Sequence, residues 1–222
     1  MFFLRTIFNK FLVKSTNNTQ HWGLERAVID NLNDSDRKWV MLRYNIAAET
    51  ISANDIVLDA ACGSGFGSMI LSKNAKMVIG IDISSESIRY SKIKYKRKNV
   101  KFFKSDVENM KLRDNFFDTS VGIETIEHIK NYELYLEELR RVTKFNGKII
   151  ISTPQKISET PQTPFHVKEF EYDEFKQILE NYFTVDKIIG LRRLDIPVYD
   201  LVNDDNYAEF TIYLAFCKND KI

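Results

Sequence analysis

At 222 residues the chain has room for one domain of ordinary size with a short extension, and with 44% hydrophobic and 13% aromatic residues it can bury a full core. A net charge of +1 gives no broad field that would draw nucleic acid or strongly acidic partners. Cys62 and Cys217 are far apart and lack metal-ligand or redox spacing, which suits a reducing cytoplasm, and no apolar run approaches the roughly 20 residues of a membrane helix.

In residues 1–14, Leu4, Ile7, Phe8 and Phe11 share one helical face, with Arg5, Lys10 and Lys14 between them. A secretory signal would need a longer apolar core and a small-residue cleavage site. The segment is expected to pack on its own domain or on a second copy of the chain. A basic amphipathic helix in weak contact with a membrane surface is the alternative. Residues 15–35 are polar and turn-rich around His21 and Trp22. A helix is then expected from Ser35 or Asp36 to about Ile51, with Trp39, Leu42, Ile46 and Ala47 inward and Arg43 and Tyr44 beside that face. Its place before the next strand would let it close over a site as a lid. Residues 1–35 thus read as an extension or lid and residues 36–222 as the main domain.

The centre of the chain is Asp55 to Asp82. An apolar run, Ile56 to Leu58, ends at Asp59 and is followed by a glycine-rich turn, Cys62 to Gly67. A helical segment carrying Met69, Ile70 and Leu71 leads to a second apolar run, Met77 to Ile81, ending at Asp82. Strand, glycine turn, helix, strand and acid form the βαβ unit that binds an adenosine-containing cofactor. Glycine takes positive φ cheaply and lets a ligand touch the backbone, and the N–H groups of the helix start face that ligand. A carboxylate at Asp82 can accept both hydroxyl protons of a ribose.

Beyond Asp82, Ser84 or Ser85 caps a helix through Ile88 and Tyr95, and Val100 to Phe103 is a third strand ending at Asp106-Val107. An acid at that strand tip can accept from the exocyclic amine of adenine while the next backbone N–H meets a ring nitrogen. A fourth strand, Thr119 to Ile123, runs into Glu124-Thr125-Ile126-Glu127-His128. A helix (Asn131 to Val142), a fifth strand (Lys148 to Ser152), a proline-bounded loop with His166, and a helix (Tyr172 to Tyr182) follow. Thr184 to Ile189 and Phe210 to Cys217 read as the sixth and seventh strands, joined by a long connection carrying Arg192, Arg193, Asp195 and Tyr199. The expected fold is α/β: a doubly wound, mostly parallel seven-stranded sheet with the last strand antiparallel, helices on both faces and a helical N-terminal extension.

The ordered set Asp59-Ala60-Ala61-Cys62-Gly63-Ser64-Gly65, Asp82, Asp106, Phe117-Asp118, Glu124-Thr125-Ile126-Glu127-His128 and Asn146-Gly147-Lys148 resembles class I S-adenosylmethionine-dependent methyltransferases. The dinucleotide fingerprint fits less well, since Ser68 stands where its third glycine would be. The resemblance implies that Asp59, Ala61, Gly63 and Gly65 cradle the methionine end of S-adenosylmethionine. Asp82 would hold the ribose with Ile83 against the adenine, Asp106 and Val107 would read the adenine edge, and Glu124 would lie near the methyl group. S-adenosylhomocysteine would be the product.

Methyl transfer is an in-line displacement that needs alignment, exclusion of water and, for a hydroxyl acceptor, a proton acceptor. His128 and His166 are the candidate bases, each weighed against a purely ordering role. His21, His128 and His166 share no ligand spacing such as i,i+4, so no metal is expected. The stretch Pro164-Phe165-His166-Val167-Lys168-Glu169-Phe170 resembles members acting on sugars and cell-surface glycan precursors. The expected activity is therefore methylation of a small-molecule oxygen, on a sugar, sugar nucleotide or glycan precursor. A quinone-type or lipid precursor at a membrane surface and a non-catalytic cofactor-binding subunit are the alternatives. The protein is expected to be cytoplasmic and monomeric or homodimeric.

Overall fold

The computed structural model describes residues 29–161, 163–192, 198–203 and 206–221. The expectations for residues 1–14, His21, Trp22, Arg193 and Asp195 fall outside these residues. Helix α1 (Asp34–Glu49) begins slightly before the expected Ser35 or Asp36, because the Asn33 side chain caps it by accepting from the Asp36 N–H at 2.9 Å.

The remaining elements alternate as the pattern requires: β1 (Ile56–Ala60), α2 (Phe66–Leu71), β2 (Met77–Asp82), α3 (Ser85–Lys94), β3 (Val100–Lys104) and β4 (Phe117–Gly122). Then follow α4 (Tyr132–Val142), β5 (Thr143–Pro154), α5 (Tyr172–Tyr182), β6 (Thr184–Arg192), β7 (Val198–Leu201) and β8 (Ile212–Lys218). They form one eight-stranded sheet in the order β3-β2-β1-β4-β5-β8-β6-β7. Strands β3 to β5 pair in parallel, while β8 is antiparallel to both β5 and β6, as expected for the final strand.

The eighth strand is β7, which pairs antiparallel with β6 at the sheet edge, inside what reads in the sequence as a long connection. Its four residues are too few to show alternation, and Tyr199 and Leu201 remain largely exposed, so the usual apolar-face signal is missing.

Successive strand residues feed opposite faces. In β5, Ile149 and Ile151 join Tyr135, Leu136 and Leu139 of α4 and Phe175 and Leu179 of α5 in one core. Ile150 joins Tyr44 and Ala47 of α1, Leu71 of α2 and Ile88 of α3 in the other. Strand order reverses between β1 and β4, so the crevice beyond their carboxyl ends is where such a sheet binds a ligand.

Candidate active site

Both strands at the switch point leave the sheet through a non-glycine residue in the left-handed region: Ala61 after β1 (φ 62°) and Glu124 after β4 (φ 50°). Each conformation costs on the order of 1–3 kcal/mol, strain that clusters at functional sites. Gly63 (φ 53°) and Gly65 (φ 87°) complete the turn into α2. Glu124 is held in place by Ser152 at the end of β5. The Ser152 hydroxyl accepts from the Glu124 N–H at 2.9 Å and donates to Glu124 Oε1 at 2.8 Å.

The expected cofactor residues gather at these strand ends. Asp59 is fully buried and accepts from the Ser68 hydroxyl at 2.6 Å and the Tyr44 hydroxyl at 3.2 Å. Burial pushes its carboxyl up to about 6, against these hydrogen bonds. Asp82 Oδ2 accepts the Gly63 N–H at 2.9 Å and Oδ1 accepts the Ser84 N–H at 2.8 Å. This carboxylate therefore holds the glycine turn itself, a role the sequence does not announce. A carboxylate has about four acceptor sites, which leaves capacity for ribose hydroxyls. Ile83, 58% exposed, presents an apolar surface beside Asp82. Asp106 is exposed and accepts the Glu108 N–H at 2.9 Å, and the Val107 side chain is buried in the core.

Arg43 and Tyr44 are the main departure from the sequence reading. They do not flank the inner face of α1; both are buried. Gly67 makes this possible: a Cβ there would lie 2.1 Å from the Tyr44 ring, so only glycine lets α1 approach close enough for Tyr44 to reach Asp59. The Arg43 guanidinium lies over the Trp39 ring, 5.6 Å from its centroid, and its Nε and Nη1 donors have no hydrogen-bond partner among the described residues. A buried cation with unpaired donors calls for an anion. Helix periodicity marks only apolar positions and gives no hint that this arginine turns inward.

The candidate bases lie beyond β4, where Glu127 is near enough to Arg43 of α1 for the guanidinium charge to lower its carboxyl. Glu127 and His128 sit in the 3-10 turn Ile126–His128 that follows β4. Glu127 is 1% exposed, and burial, with the nearby Glu124 charge, drives its carboxyl well above the usual carboxylate range. The loop with His166 is fastened to this turn, because the Glu127 carbonyl accepts the N–H groups of Val167 and Lys168 at 2.8 and 3.1 Å. The two imidazole rings meet edge to face, 4.9 Å between centroids. The His128 Nδ1 bonds the Phe165 carbonyl at 3.0 Å, and the buried His166 Nδ1 bonds Glu169 Oε1 at 2.6 Å. Ligand atoms of Glu127, His128 and His166 lie within 4.8 Å of one another. Nothing in the chain spacing suggests that grouping, because the loop after β5 supplies the third member.

A doubly wound sheet of this order, with a glycine turn after β1 and acids at the tips of β2 and β3, defines the class I methyltransferase architecture. Residues 51–187 match the family model described as "Methyltransferase domain", and the chain belongs to the S-adenosylmethionine-dependent methyltransferases. It is 29% identical over 154 residues to a probable S-adenosylmethionine-dependent methyltransferase of Mycolicibacterium smegmatis, a match covering 67% of this chain and 59% of the relative. It is also 29% identical over 157 residues to the ubiquinone biosynthesis O-methyltransferase of Rickettsia akari, covering 65% of this chain and 62% of that one. The chain thus spans less than two thirds of the length of these relatives. A chain from the complex of the Haloferax volcanii Trm112 methyltransferase activator with a methyltransferase superposes with a TM-score of 0.70 at 18% identity. That match covers 84% of this chain and 92% of the other and bears on the fold.

The residues present fit S-adenosylmethionine. Its carboxylate would answer the unpaired donors of Arg43, its ribose the spare capacity of Asp82, and its adenine the exposed face of Ile83.

Proposed function

We propose that this chain transfers a methyl group to a hydroxyl of a small-molecule acceptor, the expected class being a sugar, sugar nucleotide or glycan precursor. When bound, S-adenosylmethionine supplies a methyl carbon activated by the adjacent sulfonium. The protein's part is to bind, orient and remove a proton. Arg43, Asp59, Asp82, Asp106 and the glycine turn hold the cofactor. The group formed by Glu127, His128 and His166 faces the acceptor and takes its proton.

The observation that carries this reading is the tautomer of His128. A carbonyl accepts from its Nδ1, so Nδ1 carries the hydrogen and Nε2 is the basic nitrogen. His128 is also the more accessible of the pair: its side chain is 31% exposed, against 5% for His166. His166, bonded to a buried carboxylate, serves to position His128.

A second reading has support from the relatives. The similarity to a ubiquinone biosynthesis O-methyltransferase favours a phenolic quinone precursor as acceptor. Residues 1–14 would then provide the membrane-surface contact, as part of an extension over residues 1–35 preceding the methyltransferase domain. No helix among the described residues is long and apolar enough to cross a membrane. Cys62 and Cys217 are buried and form no disulfide, which accords with a reducing compartment such as the cytoplasm.

The test is methyl transfer from labelled S-adenosylmethionine to a panel of nucleotide-linked sugars and hydroxylated phenols. Product methylated at oxygen is expected, with kcat reduced at least tenfold in His128→Ala and S-adenosylhomocysteine affinity unchanged. Transfer only to nitrogen or carbon acceptors, or full activity in the variant, would overturn the proposal.

A further inference from the structure

We propose that Glu127, His128 and His166 form a binding site for one divalent transition-metal ion, with zinc the best-matched candidate. Two imidazoles and a carboxylate are borderline donors, which suit zinc, iron or nickel better than the hard ions magnesium and calcium.

Three observations support the site. First, the ligand atoms lie within 4.8 Å of one another, and His128 Nε2 is 3.8 Å from Glu127 Oε1. At a metal–ligand distance of about 2.1 Å in tetrahedral geometry, donors stand roughly 3.4 Å apart, so closure takes a small rotation of the partly exposed His128 ring. Second, both rings are already set as ligands in a metal site are. Each Nδ1 is held by an acceptor, the Phe165 carbonyl for His128 and the Glu169 carboxylate for His166, which makes Nε2 the lone-pair nitrogen of each ring. Third, Glu127 is 1% exposed and, among the described residues, no donor reaches its Oε2 at hydrogen-bonding geometry, although the Thr153 side chain interacts with this carboxyl. Coordination would give that buried carboxylate oxygen a partner.

The supporting backbone is fixed. The carbonyl of Glu127 takes two N–H groups of the loop that carries His166, so the two contributing segments cannot drift apart independently. Among the charges facing the cluster, Glu124 favours a cation and Arg43 opposes one. Three protein ligands leave at least one position open, the pattern of sites where the ion works on a bound molecule rather than only holding the fold. Given the function proposed above, on which this role rests, the ion would lower the pKa of an acceptor hydroxyl at its open position so that the proton passes to solvent, and His128 Nε2, engaged as a ligand, would act through the ion instead of taking that proton itself.

The test needs no activity. The 222-residue chain is stripped with chelator and titrated calorimetrically with zinc, manganese and magnesium, and zinc content is measured after dialysis. One equivalent of zinc is expected at low micromolar affinity or tighter, with magnesium at least a hundredfold weaker. Zinc should bind at least tenfold more weakly to His128→Ala and to Glu127→Gln. Circular dichroism checks folding, and since His128 lies partly at the surface its variant remains informative if the Glu127 variant does not fold. A cobalt(II) titration, with visible bands that change in His128→Ala, gives a second readout. Failure to take up a stoichiometric equivalent of zinc would overturn the proposal. So would undiminished affinity in folded His128→Ala, which would place the ion elsewhere. S-adenosylhomocysteine binding measured in the same samples separates this outcome from failure of the methyltransferase reading.

Discussion

Arg43 gives the sharpest mutational test, because its two candidate roles call for opposite responses. As a ligand for the cofactor carboxylate, it contributes a charge-assisted hydrogen bond worth about 1.5–3 kcal/mol, and Arg43→Met should weaken S-adenosylhomocysteine binding roughly ten- to a hundredfold. As a structural cation, it would be missed by the fold instead. In the unliganded protein the side chain is 5% exposed with Nε and Nη1 unpaired, so replacing it with an apolar chain of similar length removes a penalty of about 1–3 kcal/mol. Loss of its contact with Trp39 returns about 0.5–1 kcal/mol of that. Removing the Arg43 charge, which lowers the Glu127 carboxyl, lets burial push that carboxyl further above the usual carboxylate range. The expected result is a Tm within about 4 °C of the parent, or higher, beside the large affinity loss. Calorimetric titration and thermal unfolding of the same preparation measure both. Unchanged affinity, or a Tm lowered by more than about 8 °C, would refute the assignment.

Other consequences follow from the same geometry. Asp82→Ala removes the ribose acceptor and also strands the Gly63 and Ser84 N–H groups, so cofactor affinity should drop at least tenfold, by about 1.5–3 kcal/mol, in calorimetric titration. With the free Asp59 carboxyl at about 6, the cationic end of the cofactor would hold it ionised. Affinity should therefore weaken by up to about tenfold per pH unit below 6, and flatten in Asp59→Asn. The same raised value means that the native state holds this proton when the unfolded chain has lost it. Stability of the unliganded protein contributed by Asp59 is thus present below pH 4 and declines as pH rises through 6. Gly67→Ala forces the Tyr44 ring away from Asp59 and should lower stability by about 1–3 kcal/mol in denaturant unfolding, whereas a change below 0.5 kcal/mol would show that α1 can move aside freely.

The parallel half of the sheet was legible because each buried strand is a short apolar run bounded by turn residues, and the helices between carry apolar stripes. Asn131 and Ser84 mark helix starts in the sequence and cap α4 and α3 in the structure. The edge strand β7 was not legible, because a strand paired on one side and exposed on its faces carries no burial pattern. Of the candidate site, the glycine turn and the strand-tip acids follow from local motifs. What sequence could not show is long-range: Arg43 and Tyr44 turned inward by the glycine at position 67, the Asp82 carboxylate gripping the Gly63 backbone, and His166 brought against His128 across 37 intervening residues. Each depends on packing between segments distant in the chain, where periodicity and spacing carry no information.

The central claim is that the crevice between β1 and β4 holds S-adenosylmethionine, and calorimetric titration of the purified chain with S-adenosylhomocysteine, with NAD in parallel, tests it most directly. Binding of S-adenosylhomocysteine at micromolar affinity and no heat from NAD is the expected result. Binding of NAD alone, or of neither ligand to folded protein free of carried-over cofactor, would contradict the account.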